Sequence, residues 1–204
     1  MNIIQIEKEV DGIKTWYKIQ EDNAFEDIID GWIDSTKKAY MDNVTGRGVC
    51  IQAGGYQGIF PRLFSQLFQT VYTFEPEAEN FYCLNLNCPQ SNIIKNQAAL
   101  GAKHEMVSAI QRVNSNRGMN ISIANEYAEV PTYCIDDLAL RSCDFIQLDV
   151  EGYEINILHG AKNTINRFRP TISVEDSTPA IESFLSGYGY TAKSISYRDT
   201  IYAI

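Results

Sequence analysis

The spacing of apolar positions changes along the chain. In residues 2–19, "NIIQIEKEVDGIKTWYKI", apolar and polar residues alternate on either side of Asp11-Gly12. That dipeptide suits a tight hairpin turn, so two short strands are expected. Residues 23–44, "NAFEDIIDGWIDSTKKAYMDNV", switch to helical spacing, with Asn23 as a candidate N-cap and an apolar stripe of Phe25, Ile28, Ile29, Trp32 and Ile33. The stripe is expected to pack the helix onto a core rather than to serve a ligand.

From Gly48 onward, short apolar runs alternate with helical segments. "GVCIQAG", "TVYTFEP", "NIIKNQAAL", "DFIQLDV" and "RPTISVED" read as the main strands. "IFPRLFSQLF", "EAENFYCLNLNC", "YEINILHGAKNTINRF" and "TPAIESFLSGYG" read as helices, the first with Pro61 in its first turn and the last ending at Gly187. Shorter strands, "EMVSAI", "MNISIA" and "VPTYCI", lie between the third and fourth main strands, with a turn expected at Arg117-Gly118. The tail "YTAKSISYRDTIYAI" reads as a hairpin turning near Arg198-Asp199. This order predicts an α/β fold: a parallel sheet with right-handed crossovers, helices on both faces and antiparallel strands at one edge. Ligands of such sheets sit at the carboxyl ends of the strands.

The 204 residues fit one domain, with a hairpin-and-helix appendage over 1–45 and the core over 46–204. No apolar run is long enough to cross a bilayer, and "MNIIQIEKEVDG" lacks the basic start and apolar core of a signal peptide, so a cytoplasmic location is expected. Cys50, Cys83, Cys88, Cys134 and Cys143 are odd in number and include no Cys-x-x-Cys pair. They read as buried free thiols in a reducing compartment, rather than as a disulfide framework or a zinc knuckle. A net charge of −9 argues against a long nucleic-acid backbone as partner.

Gly54, Gly55 and Gly58 stand where a strand gives way to a helix. Glycine there lets backbone approach a ligand, and the helix start offers free N–H groups. The spacing lacks the middle glycine of the dinucleotide fingerprint, so the cluster alone could equally be a tight turn. Glu75 ends the next strand about 20 residues on, where a carboxylate can accept both ribose hydroxyls. Loop and carboxylate together point to an adenosine-containing cofactor.

"VCIQAGGYQGIF", "VYTFEPEAENF", "NQAALG", "VPTYCIDDL" and "FIQLDVEGYEINILHGA" follow in order the motifs of a known family. From about Gly48 to Glu175 the chain resembles the FkbM-type methyltransferases, class I enzymes that use S-adenosylmethionine. The resemblance implies a Rossmann-like, seven-stranded, mostly parallel sheet with its last strand antiparallel. It implies S-adenosyl-L-methionine as cofactor, with Gly54 and Gly58 along the methionine part and Glu75 at the ribose. Gln52, Gly55, Tyr56, Pro76 and Ala98 complete the candidate cofactor set. The family has Asp where this chain has Gln52; the amide keeps an acceptor but loses the charge that favours the cofactor's ammonium, so weaker binding is expected. The implied acceptor is a hydroxyl of a saccharide or another small metabolite.

Methyl transfer from a sulfonium is an in-line displacement in which the protein aligns the reactants and excludes water. A hydroxyl acceptor also needs a base. Asp149 and Glu151 match the family's Asp-Val-Glu-Gly motif, and positions two apart on a strand would share one face. Capping of the next helix is the other reading of Glu151. His104, in "LGAKHEM", is a third catalytic candidate, while His159 is expected to be structural. Asp149, Glu151, Glu175 and Asp176 could gather oxygens around Mg²⁺ or Ca²⁺, but nothing fixes a geometry and no metal is assigned. Asp136 and Asp137 are expected to cap a helix or charge its first turn. Lys103, Arg112 and Arg117 could form a substrate rim.

Other classes remain open. A nucleic-acid or protein acceptor is disfavoured by the acidic balance and by "LDVEGY" in place of an Asn-Pro-Pro-Tyr-like motif. A cofactor-binding module without catalysis has only Gln52 in its favour. A nicotinamide dehydrogenase has the wrong glycine spacing and lacks a Tyr-x-x-x-Lys pair after the fourth strand. The N-terminal hairpin and helix could form a lid or a contact between copies; the sequence does not set the oligomeric state.

Overall fold

The computed structural model describes residues 2–10, 12–31, 33–113, 116–123 and 129–204, with 31, 33–34, 109–113 and 116–123 described by backbone alone. The elements run β1 (Ile3–Val10), β2 (Ile13–Ile19), α1 (Ala24–Gly31), α2 (Ile33–Asn43), β3 (Val49–Ala53), α3 (Ile59–Phe64), β4 (Thr70–Phe74), α4 (Ala78–Asn87) and β5 (Ile93–Asn96). There follow β6 (Ala99–Leu100), β7 (Met106–Val113), β8 (Asn116–Ile123), β9 (Val130–Tyr133), a 3₁₀ turn (Ile135–Leu138) and β10 (Phe145–Leu148). The chain continues through α5 (Glu154–His159), α6 (Lys162–Phe168), β11 (Thr171–Glu175), α7 (Pro179–Ser186), β12 (Thr191–Ser196) and β13 (Asp199–Ala203).

The apolar runs after Gly48 build one seven-stranded sheet of order β12-β13-β11-β10-β3-β4-β5. The five strands from β11 to β5 are parallel, while β13 runs antiparallel to β11 and β12 antiparallel to β13. This is the predicted class I methyltransferase sheet with its C-terminal hairpin. Alternation along the strands divides the core between two faces: Cys50 and Phe145 enter one cluster, Ile51 and Ile146 the other. One row breaks the apolar rule. Thr73, Gln52, Gln147 and Ser173 are in register across β4, β3, β10 and β11, and all four are buried. Thr73 Oγ1 donates to Gln52 Oε1 at 2.5 Å and Ser173 Oγ to Asp199 Oδ1 at 3.2 Å, so most of the row is satisfied without water.

The N-terminal elements share the first of these clusters. Trp16, Phe25 and Tyr40 are fully buried with Phe64 and Phe145, and the Tyr40 and Phe145 rings lie 5.2 Å apart. The β1–β2 hairpin is also fixed by hydrogen bonds. Asn87, at the end of α4, donates to Tyr17 O (2.7 Å) and Gln57 O (2.6 Å) and accepts from Tyr17 N (2.7 Å). Gln57 Oε1 accepts from Ile19 N at 2.9 Å. Of the apolar stripe, Phe25 and Ile29 reach the core as expected; Trp32 and the Ile33 side chain lie outside what is described.

Three sequence expectations are corrected. "NIIKNQAAL" is two strands: Asn96 donates to Thr73 O (3.2 Å) and Ile94 O (3.3 Å) at the end of β5, and β6 then pairs with β9 in a separate sheet of order β6-β9-β7-β8. "YEINILHGAKNTINRF" is two helices, because Gly160 passes so close to Gly101 that a Cβ would lie 2.0 Å from its carbonyl oxygen. Arg117-Gly118 lies inside β8, since Val113 already pairs with Asn116; Asp11 of the first expected turn lies outside the described residues. Among the described residues no helix is long and apolar enough to cross a membrane.

The Asn87 side chain is fully buried, and its removal orphans three backbone groups inside the protein. Asn87→Ala is expected to cost about 2–4 kcal/mol, read as a lower urea midpoint. Loss of far less would show that the hairpin is held by apolar contact alone.

Candidate active site

The loop after β3 is shaped by close approach. Gly54 has φ +84°, and a Cβ there would lie 1.8 Å from Asp149 O, so the ends of β3 and β10 meet where only glycine fits. Gly54 N and Gly55 N both donate to Phe74 O, at 3.1 and 2.9 Å, which ties the loop to β4. Tyr56 N then donates to Glu75 Oε2 at 2.7 Å, while Glu75 Oε1 accepts from Glu77 N at 2.9 Å. Burial pushes the Glu75 carboxyl up to about 8, and the Glu77 and Tyr56 N–H groups oppose that rise. A carboxylate offers about four lone-pair sites, so Glu75 can order the loop and still accept from a ligand.

These groups line a cavity of about 260 Å³ at the carboxyl ends of the strands. Gly54, Gly55, Tyr56, Glu75, Pro76 and Asn80 form its β3–β4 side, and Phe74, Ala99 and Leu100 add apolar wall. Asp149, Glu151 and Tyr153 follow β10, Glu175 ends β11, and Tyr197 and Arg198 come from the turn between β12 and β13. At about 4.8 Å per strand, Glu75 on β4 and Glu175 on β11 stand roughly 14 Å apart. Ala24, Asp27 and Ile28 of α1 complete the lining. α1 is anchored at its base by the buried Asp22, which accepts from Tyr56 Oη and, at 2.5 Å, from Gln57 Nε2.

The far end is rich in carboxylates. Oxygens of Asp149, Glu151 and Glu175 lie within 4.8 Å of one another. Burial raises the Asp149 carboxyl well above its ordinary range, and the Glu175 charge with its shared hydrogen bond raises it further. Asp199, beneath them on β13, is pushed up to about 7 by burial and then by Glu175. Arg198 Nη1 meets Glu175 Oε1 at 2.7 Å, and Arg198 also pairs with Asp176, whose carboxyl this hydrogen bond holds below its usual range. Six described non-glycine residues have positive φ, and Tyr56, Glu151 and Tyr197 among them line the cavity. Backbone strain is thus concentrated at this mouth.

The structure gathers Gly54, Gly55, Tyr56, Glu75, Pro76, Asp149 and Glu151 of the sequence candidates. It leaves four outside the lining. Gln52 is fully buried, with Nε2 donating to Gly54 O at 2.6 Å, so its amide braces the loop from below. Gly58 faces α4, where a Cβ would lie 2.9 Å from Cys88 Sγ; its small size serves packing. Ala98 is buried in the second core cluster, and His104 pairs with Asp137 at the surface. Asp149 and Glu151 share the cavity for a different reason than strand alternation, because β10 ends at Leu148 and both lie on the following loop. Glu154, not Glu151, caps that turn, its Oε1 accepting from Val150 N (3.3 Å) and Gly152 N (3.1 Å). Lys103 pairs with Glu105 at 3.1 Å, and the Arg112 and Arg117 side chains lie outside the description.

Sequence reasoning missed Asp27, Asn80, Tyr153, Tyr197 and Arg198, and Ile28 serves cavity as well as core. Asn80 and Tyr153 lie within the motifs "VYTFEPEAENF" and "FIQLDVEGYEINILHGA", while the helical stripe and the Arg198-Asp199 turn carry no chemistry by themselves. The cavity lined by Gly54 and Gly55, with the buried Glu75 carboxyl at one end, fits the adenosine-containing cofactor expected there.

A family model described as "Methyltransferase FkbM domain" matches residues 60–192. Among solved structures, an FkbM methyltransferase from Methylobacillus flagellatus KT superposes with a TM-score of 0.52 at 17% identity, over 80% of this chain and 44% of that one. This chain therefore spans less than half the length of that protein. A precorrin-6y C5,15-methyltransferase from Geobacter metallireducens GS-15 gives 0.48 at 12% identity, over 82% and 86% of the two chains. A putative methyltransferase from Streptococcus mutans, in complex with SAH, gives 0.40 at 10% identity, over 83% and 94%. No curated protein matches the sequence.

Because the Glu75 and Asp199 carboxyls are raised above ordinary values near 4, the folded state binds protons that the unfolded chain has released. Their contribution to stability is complete below about pH 4 and is lost as pH rises to about 8. The melting temperature is expected to fall between pH 5 and 8, and Glu75→Gln should flatten that fall. A profile unchanged by the substitution would show that Glu75 titrates normally.

Proposed function

The chain belongs to the FkbM methyltransferase family, and from that premise we propose that it transfers the methyl group of S-adenosyl-L-methionine to a hydroxyl of a saccharide or another small metabolite. The observation that carries the reading is a single cavity with Glu75 at one end and Asp149 at the other. When bound, the cofactor supplies an activated methyl group, so the chain's work is placement and proton handling.

Glu75 would accept from the ribose hydroxyls, beside the cavity wall that Gly54 and Gly55 form. The apolar surface of Phe74 and Leu100 suits a purine face. Asp149 would take the proton of the acceptor hydroxyl on a carboxylate oxygen as the new bond to carbon forms. In its ionised form Asp149 is a stronger base than an exposed aspartate, because burial and the Glu175 charge raise its affinity for protons. Glu151 and Glu175 would orient the acceptor, and α1 would keep water from the reacting atoms. Gln52 acts through the loop that it braces, so the missing family carboxylate alters loop support more than a direct contact. The acidic end supports a small neutral acceptor over a nucleic-acid backbone, and five free cysteines support a reducing, cytoplasmic setting.

Calorimetric titration with S-adenosylmethionine, S-adenosylhomocysteine and NAD in parallel tests the cofactor. Both sulfur compounds should bind and NAD should not; binding of NAD alone would refute the reading. Above about pH 8, where the Glu75 carboxyl is ionised, Glu75→Ala should weaken both by at least about tenfold, the loss expected of a charge-assisted hydrogen bond. Asp149→Asn should spare binding and lower turnover by roughly 10²–10⁴-fold on any saccharide acceptor found in a panel. Binding without turnover across the panel would favour a non-catalytic module.

A further inference from the structure

His104 and the "CIDDL" segment take no part in the cavity, yet the fold brings three different donors together there. The ligand atoms of His104, Cys134 and Asp137 all lie within 4.8 Å of one another. His104 Nε2 is 2.8 Å from Asp137 Oδ2.

Both supporting segments are fixed by backbone contacts. Cys134 caps the 3₁₀ turn that contains Asp137, and Asp137 N donates to Cys134 O at 3.2 Å. Cys134 enters the turn in extended conformation, and its Sγ lies within 4.8 Å of the Asp137 carboxylate. The turn is pinned through the buried Ile135 and through Asp136, whose carboxylate accepts from Asn163 N (3.0 Å) and Thr164 N (2.8 Å). The His104 loop is joined to the end of β9 by Gly101 N donating to Tyr133 O at 2.9 Å, and the His104 ring stands edge-on to Tyr133 at 5.9 Å.

One chemistry for such a trio is a nucleophilic cysteine activated by histidine. The arrangement opposes it, because the carboxylate lies against both the thiol and the imidazole and disfavours a free thiolate. A divalent cation reverses that balance, since it deprotonates a coordinating thiol and takes all three donors at once. Tetrahedral zinc, with bonds of about 2.0–2.3 Å, places its ligand atoms about 3.3–3.8 Å apart, a range that falls between the 2.8 Å His104–Asp137 distance and the 4.8 Å limit of the group. We propose that His104 Nε2, Cys134 Sγ and an Asp137 carboxylate oxygen form a site for a divalent transition-metal ion of the zinc class, with the fourth position open. Mixed nitrogen, sulfur and oxygen donors suit zinc rather than magnesium or calcium. The ion would bridge the loop after β6 to the turn after β9, and Leu100 at the start of that loop lines the cavity.

The test is titration of the full, metal-stripped chain with zinc chloride, and separately with cobalt(II) as a spectroscopic probe. One zinc per chain is expected, with a rise in melting temperature and, for cobalt, a sulfur-to-metal charge-transfer band. Cys134→Ser should abolish that band. Cys134→Ser and His104→Ala should each weaken zinc binding by at least about tenfold, the smallest loss seen even when only outer partners of a metal are removed. His104 is exposed, so His104→Ala should melt at the wild-type temperature without metal and carries the test if Cys134→Ser misfolds. No binding, a cobalt spectrum without the sulfur band, or zinc affinity untouched by both substitutions would overturn the site.

Discussion

The contact between Gly54 and the carbonyl of Asp149 governs the rest of the site. β3 and β10 are neighbours in the sheet, and their exits are pressed together until a side chain at position 54 would collide with backbone. That closeness places the glycine loop beside the Asp149–Glu151 loop, so both ends of the cavity are referred to one point. Phe74 O receives two N–H groups from the loop, and Glu75 receives a third from Tyr56. The site is built mainly from backbone hydrogen bonds on rigid strand ends, and side chains add the charge.

A second constraint lies one residue below. The buried row from Thr73 to Ser173 puts polar groups where a parallel sheet ordinarily carries apolar ones. Thr73 bonds to Gln52, Gln52 to Gly54 O and Ser173 to Asp199, which offsets much of the cost of burial, while Gln147 Oε1 is buried without a partner among the described residues. Unmet hydrogen bonds in such a row would cost more than an apolar core, and this favours a single arrangement of the strand ends.

The fold was largely legible because period and punctuation agree along most of the core. "TVYTFEP" and "RPTISVED" became strands, and the Gly187 end of α7 was visible in the sequence. Boundaries failed where distant backbone intervened, as when Gly101 divides α5 from α6. At the site, Gly54, Glu75 and Asp149 could be read because each terminates a strand in a recognisable motif. Gln52 and Gly58 carried the same motif signal, but their side-chain environments come from Thr73 and from α4, which no local pattern reveals. Arg198 and Asp27 reach the cavity from the tail hairpin and the N-terminal helix, and only the closed sheet shows that these distant segments converge.

The segment matched by the family model, 60–192, is thus smaller than the unit that encloses the cavity. Glu75 and Asp149 fall within it, but Gly54, the helix anchored on Asp22, and the Tyr197-Arg198 turn fall outside. A fragment trimmed to the shared core would keep both charged poles and lose the floor, the cover and one wall between them. In this chain, kinship and function are therefore divided along different boundaries.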